Sequence, residues 1–346
     1  TFMKLRCLLQ FAVVVASLSV PGRAAEPDGA QFAATLSPFL DEQMIAVAHF
    51  NIAELGIGWL LDELSKAMDM ESGDRSLLAE WSELLDAWGE QFRAAGGRDA
   101  FIVLSLADFP RHLPYVIVPL RADADARKLA GVLVSGRPDG PTNAAEAGRL
   151  GDFSPLPFNL EFAEEFRGAV FFGDRFTRAR LESAVFSRQQ QVADAFKAAG
   201  ESDLQFVILL KDDQRRVLSE FGAGLAPGLN ESAAKTLGQI RWLSAGLTTG
   251  PEASLELTLR ADDDSSAAKL RDVIGRVLQA AAQDADIRAA APQIPELARA
   301  AIVQQQGDRL QLTLGGAGGG LQSLISIVAP SIYTGLNRGA DERLKS

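Results

Sequence analysis

One cysteine, two histidines and two tyrosines occur in 346 residues, and no dense run of lysine or arginine appears in a chain whose formal charge is −11. Each scarcity removes a class of function. The single thiol, Cys7, opens an apolar N-terminal run, so there is no disulfide framework, and loss of that run leaves no thiol for catalysis. Two histidines and one cysteine are too few for a zinc site of the usual Cys and His composition. The acidic balance repels polyanions on average, because nucleic-acid affinity rests on Lys and Arg neutralising phosphates, so nucleic acid is not an expected partner. With 47% hydrophobic residues, the chain has enough apolar content for one large or two ordinary domains.

Met3-Lys4-Leu5-Arg6 supplies a basic start, Cys7 to Val20 an apolar stretch, and Pro21-Gly22-Arg23-Ala24 a break with small residues. This order predicts a secretory signal peptide over 1–24. Its apolar stretch is shorter than the roughly 20 residues that span a bilayer. Cleavage after Ala24 places Gly22 and Ala24 where small side chains are wanted, whereas cleavage after Ala25 or retention of the segment are the alternatives. Cys7 begins the apolar stretch rather than following it, which argues against a lipid anchor. The exported chain loses Lys4, Arg6 and Arg23 and no acid, so it is more acidic still.

The best-patterned stretch is Ala253 to Leu270. Leu255, Leu257 and Leu259 alternate with Glu256, Thr258 and Arg260, and Asp262-Asp263-Asp264 leads into helical spacing. Leu120-Arg121-Ala122-Asp123 repeats Leu259-Arg260-Ala261-Asp262, and Leu181-Glu182-Ser183 repeats Leu321-Gln322-Ser323 at a near-equal offset. These echoes predict a tandem duplication: a polar leader over 25–42, a first repeat over 43–199, a second over 200–338 and a polar tail over 339–346. Pro and Gly concentrate between about 135 and 158, an expected flexible insertion.

In the first repeat, strands are expected at 44–52, 99–106, 115–121, 159–162 and 168–173, with helices at 53–70, 76–95, 123–134 and 175–199. In the second, strands are expected at 204–210, 240–248, 253–261 and 309–314, with helices at 212–221, 231–238, 264–282, about 295–301 and 321–328. Read as β-α-β-β-α-β, each half predicts a ferredoxin-like, split β-α-β sandwich with strand order 4-1-3-2, helices on one face and the other face wet. The strands at 99–106 and 204–210 lack alternation, so a central position or cover on both faces is expected for them; sheet-to-sheet packing of the halves is one arrangement, and the pattern leaves open whether they form one sheet or two.

No constellation in the sequence specifies catalysis, a cofactor or a metal. Asp262-Asp263-Asp264 stands where a strand becomes a helix, where acids cap free N–H groups and oppose the helix dipole. Gly315-Gly316-Ala317-Gly318-Gly319-Gly320 has neither dinucleotide nor P-loop spacing and reads as a turn. His49 in an apolar strand and His112 in a Pro-rich loop have no partner by spacing. Glu161, Glu164 and Glu165 are the nearest thing to a glycosidase-type carboxylate pair. Trp59, Trp81 and Trp88 read as core, and Trp242 as core or platform. If a surface matters, the expected residues are Glu256, Thr258 and Arg260 on the wet face.

In its signal peptide, its Pro-Phe-Leu-Asp-Glu-Gln-Met stretch at Pro38 to Met44 and its repeated strand-to-helix words, the chain resembles uncharacterised exported proteins of planctomycete-type bacteria. That resemblance implies export to the periplasm or outside the cell, and it brings no activity or site residues. The expectation is a non-catalytic exported module that contacts another protein or the cell envelope. The alternative is a carboxylate-dependent hydrolase acting on envelope material.

Overall fold

Met44–Asn51 is apolar at nearly every position, and a strand without polar alternation is stable only when covered on both sides. It forms β1, and nine further strands follow: β2 (Asp99–Ser105), β3 (Tyr115–Pro119), β4 (Phe162–Phe166), β5 (Ala169–Gly173), β6 (Leu204–Leu209), β7 (Ile240–Thr248), β8 (Ser254–Ala261), β9 (Val303–Gln306) and β10 (Arg309–Gly315). In the computed structural model all ten join one antiparallel sheet in the order β4-β5-β3-β2-β1-β6-β7-β8-β10-β9. The structure describes residues 29–54, 57–67, 72–108, 114–136, 139–140, 162–221, 231–250, 253–315 and 319–330. The expected signal peptide, His112, Glu161, most of the Pro/Gly-rich insertion and the polar tail lie outside them.

Among the described residues the helices are α1 (Gly29–Leu36), α2 (Ile57–Ala67), α3 (Ser72–Ala94), α4 (Ala126–Ser135), α5 (Arg175–Glu182), α6 (Gln189–Ala198), α7 (Asp212–Phe221), α8 (Glu231–Leu237), α9 (Asp264–Gln283), α10 (Ala285–Ala290), α11 (Ile294–Ala300) and α12 (320–330). The fold is therefore α+β around a large antiparallel sheet. Both halves run strand, two helices, two strands, helical crossover, two strands, and both lay their strands outward from the centre in the same order.

That order is not 4-1-3-2. Between β1 and β2, as between β6 and β7, the chain makes two helices, and an even number of crossings returns it to the end it left. The next strand is then an antiparallel neighbour rather than a parallel one across the sheet. The halves also do not stack face to face: β1 pairs with β6, with Val47 opposite Val207 and His49 opposite Gln205, so the sheet is continuous through the middle. The strands expected at the centre from their lack of alternation, β2 and β6, do flank β1.

Other boundaries shift as well. The strand expected at 159–162 is β4, centred three residues later, and it joins β5 through Arg167-Gly168, both at positive φ. Strand β9 has no counterpart in the sequence pattern; Val303-Gln304-Gln305-Gln306 is short and polar, and it exists because β10 offers it a ladder. The helix expected over 175–199 is two helices separated by Ser183 to Arg188.

Helices lie on both faces of the sheet, not one. On the first face, α2, α3, α4 and α12 cover Ala48, Phe50, Ile102, Val116, Val118, Phe172 and Phe206. Farther along that face, α9 packs Ala267 and Leu270 on Leu259, Ala261 and Leu310. On the second face, α1, α5 and α6 cover Val47, Phe101, Tyr115, Ile117, Phe171, Val207 and Trp242. Central strands that are apolar on both sides require this double cover.

Within the expected polar leader, described residues from 29 onward contribute to the core. Phe32, Leu36, Phe39 and Leu40 are all buried on the second face. Helix α1 lies so close to α6 that a Cβ on Gly29 would collide with the Ala193 carbonyl and the Lys197 backbone. The C-terminal end of α6 presses on β7 in the same way, and a side chain on Gly246 would run into Ala199 and Ser202. Helix α6 follows the first half in sequence but crosses onto strands of the second, so it ties the halves together on that face.

Candidate functional site

On β8 the alternating pattern sends Glu256, Thr258 and Arg260 to the second face. Register aligns them with Gly246, Ser244 and Trp242 on β7 and with Thr313, Gln311 and Arg309 on β10. Gln304 and Gln306 on β9 extend the row, opposite Gln311 and Arg309. The result is a polar platform at the outer end of the sheet, on which Glu256, Gln304, Gln306, Gln311 and Thr313 are exposed.

The three expected surface residues meet three different fates. Glu256 is exposed beside Gly200 and makes no ion pair among the described residues. Thr258 is not on a wet surface: it is buried beneath the end of α6, and its hydroxyl donates to the Ala198 carbonyl at 3.3 Å. Arg260 is half-buried, donating from Nε to Asp308 at 2.8 Å and from Nη1 to Asp194 of α6 at 3.2 Å. Arg260 thus marks where the covered part of this face gives way to the open part. Arg309 lies beside it with its guanidinium 5.6 Å from the ring of the buried Trp242.

A second feature lies on the opposite face, between α9 and α11. There a groove of about 680 Å³ is lined in part by Gly275, Leu278, Ala282, Ala298, Ala301 and Val303. Arg271 and Arg276 rise from the α9 wall and Arg299 from the α11 wall, all exposed, with Asp272 and Gln279 beside them. Arg271 reaches Asp272 at 3.4 Å, so one cation is offset by the groove's one acid. Arg276 has no ion-pair partner among the described residues, and Arg299 donates only to the Pro295 carbonyl, at 3.3 Å. The sequence pattern does not single out these residues, because their meeting depends on how α11 folds back along α9.

His49 is buried on the second face between the rings of Phe32 and Phe101. Gln205 donates its amide to the Gly200 carbonyl at 2.6 Å, which turns its Oε1 toward His49 Nδ1 at 3.1 Å. The other ring nitrogen lies 2.8 Å from Asp99 Oδ1. Both ring nitrogens therefore face acceptors, and Asp99-His49-Gln205 joins β2, β1 and β6 across the centre of the sheet. With an aromatic ring on either side, the buried imidazole links three central strands.

A buried ionic cluster lies toward the first-half end. Arg180 of α5 donates to Asp108 at 2.6 Å and is paired with Asp41, to which the Ser105 hydroxyl also donates at 3.1 Å. The Thr177 hydroxyl is 2.8 Å from both Asp108 and Asp174, and Asp174 caps α5 through the N–H groups of Phe176 and Thr177. Beside it, the Tyr115 hydroxyl donates to the Phe39 carbonyl at 2.6 Å. Burial, with the charge of Asp108, pushes that phenol well above its ordinary range. Every carboxylate here holds α5 or the 37–42 turn in place.

The remaining expected residues are accounted for by neighbours. Asp263 caps α9 by accepting from Ser266 N at 2.7 Å, and that bond holds its carboxyl below the usual range. Asp262 pairs instead with Arg215 at 2.6 Å and Arg241 at 2.9 Å. The first-half counterpart is Asp125, which caps α4 through Arg127 N and Lys128 N. Glu164 and Glu165 are consecutive on β4 and point to opposite faces, Glu164 toward Arg178 at 2.8 Å. Trp88 donates to the Val132 carbonyl within the core and Trp59 packs beside it, while the side chain of Trp81 lies outside the described set. Leu84 of α3 is exposed. In the glycine-rich turn, Gly319 and Gly320 lie against Glu296 and Ala300 of α11, so close packing explains these two.

Among the described residues no helix is long and apolar enough to cross a membrane. No family model and no curated protein matches the chain. Among solved structures, that of TP0453, a treponemal protein, aligns over 88% of this chain and 97% of its own at 13% identity and a TM-score of 0.32.

Proposed function

We propose that this is an exported, non-catalytic binding or structural module, and that it contacts another protein or a component of the cell envelope through the polar platform of the second half. The observation that carries this reading is the uneven cover of one continuous sheet face. Under α1, α5 and α6 that face is packed with aromatic and aliphatic side chains, whereas beyond Arg260 it presents Glu256, Gln304, Gln306, Gln311 and Thr313 to the outside. Polar groups on a rigid sheet, ending in the short edge strand β9, give a surface that hydrogen-bonds a partner without rearranging.

Export rests on the basic and apolar N-terminal segment, and the repeated Leu-Arg-Ala-Asp words together with the matching strand order of the halves support a tandem origin. Mass spectrometry of the mature protein tests the first point: a chain starting at Ala25 or Glu26 supports export with cleavage, and an intact N-terminus contradicts it. A photo-cross-linking residue placed at Gln311 tests the platform, with one at Glu83 on α3 as the control. A specific envelope adduct is expected from position 311 alone; equal labelling from both positions, or none, contradicts the platform.

A further inference from the structure

The groove between α9 and α11 lies on the face away from the platform and is independent of it. We propose that it binds a small organic dicarboxylate whose two acid groups are separated by a short apolar body. Its volume, about 680 Å³, falls in the range of small-molecule sites and is too small for a folded partner. Its lining is of two kinds. Gly275, Leu278, Ala282, Ala298, Ala301 and Val303 suit methylene groups, and the two helices that border it each contribute a guanidinium side chain, Arg276 from α9 and Arg299 from α11.

Arg276 and Arg299 stand on different helices, with neither neutralised by an acid among the described residues, in a chain of net charge −11. A guanidinium presents a planar fork that matches a carboxylate through two parallel hydrogen bonds. One fork from each bordering helix, in a groove whose other lining is largely apolar, fits two carboxylates on one short chain better than a single compact oxyanion. Arg271, already engaged by Asp272, serves as an orienting neighbour rather than an anchor.

Calorimetric titration of the full chain with adipate, hexanoate and inorganic phosphate tests this. Adipate is expected to bind, and hexanoate, with one acid group, about tenfold or more weakly, since a charge-assisted hydrogen bond contributes about that factor. Arg276→Gln and Arg299→Gln are each expected to weaken adipate about tenfold, and Arg271→Gln much less. All three side chains are exposed, so thermal melts of the variants are expected to overlay the parent. Absence of adipate binding, hexanoate binding equal to adipate, phosphate binding as tight as adipate, or affinity unchanged in Arg276→Gln and Arg299→Gln would each overturn the proposal. None of these outcomes bears on the platform.

Discussion

Two cross-strand ladders on the same face of the sheet carry opposite chemistry. In the first half, Phe101 of β2, Ile117 of β3 and Phe171 of β5 stand side by side, all buried beneath the helices of that face. In the second half the corresponding strands, β7, β8 and β10, align Ser244, Thr258 and Gln311, of which the first two are buried, Thr258 beneath the end of α6, and Gln311 is exposed. The halves share strand order, and what differs is where each chain goes after its last strand. After β5 it turns onto this face as α5 and α6, with Asp174 capping the turn and Leu181 buried. After β10 it turns through the glycine-rich segment and sends α12 to the other face, burying Leu321, Ile325 and Ala329. Cover, rather than strand geometry, separates a core face from a presented one.

Substitution within the two ladders should separate them most widely. Phe171→Ala is expected to cost about 3–5 kcal/mol in urea unfolding, the range for a large ring removed from a packed core. Gln311→Ala is expected to stay within about 0.5 kcal/mol. Similar costs at both positions would mean that the outer face of the second half is covered after all.

A middle-sized effect is expected at the centre, where the halves meet. His49→Phe keeps the aromatic packing but leaves Gln205 and Asp99 without their partner, and an unsatisfied buried polar group costs about 1–3 kcal/mol. Unfolding should remain a single transition with a lower midpoint. A neutral substitution would remove His49 from the account of how β1 is held between β2 and β6.

The smallest expected effect sharpens the second half alone. Asp203, just before β6, accepts from the backbone N–H and hydroxyl of Thr249 after β7. Burial raises its carboxyl above the usual range. The folded state therefore holds this proton to higher pH than the unfolded state, and the contribution of Asp203 to stability falls as pH rises from the unfolded value through the folded one. Asp203→Asn is expected to flatten that decline and to raise stability slightly at neutral pH. Denaturant midpoints measured between pH 4 and 7 check it, and an unchanged slope would contradict it.

Much of the element order is legible in the sequence because it rests on local rules. Alternation marks β8 and β10, its absence places β2 and β6 at the centre, and acids at strand-to-helix turns mark caps that Asp125 and Asp263 make. Strand order is not legible, since it turns on whether an even or odd number of helices lies between strands, and on β9, whose run Val303-Gln304-Gln305-Gln306 carries no strand signal of its own. Phe32, Leu36 and Phe39 read as a leader because their burial comes from residues far along the chain, Phe101 and Phe196 around Phe32 and Phe166 beside Phe39. For the same reason Thr258 reads as exposed: the strand pattern gives its face, and only the path of α6 shows that the face is covered there.

Amide hydrogen exchange resolved by strand tests most directly the claim of one continuous sheet with uneven cover. The expected result is that β1 and β6 exchange together and slowest, through global unfolding only, with β2 close behind and β9 and the outer part of β10 fastest. If β1 and β6 instead exchange with different opening free energies, each together with its own half, the molecule is two separate units and the continuous sheet is contradicted.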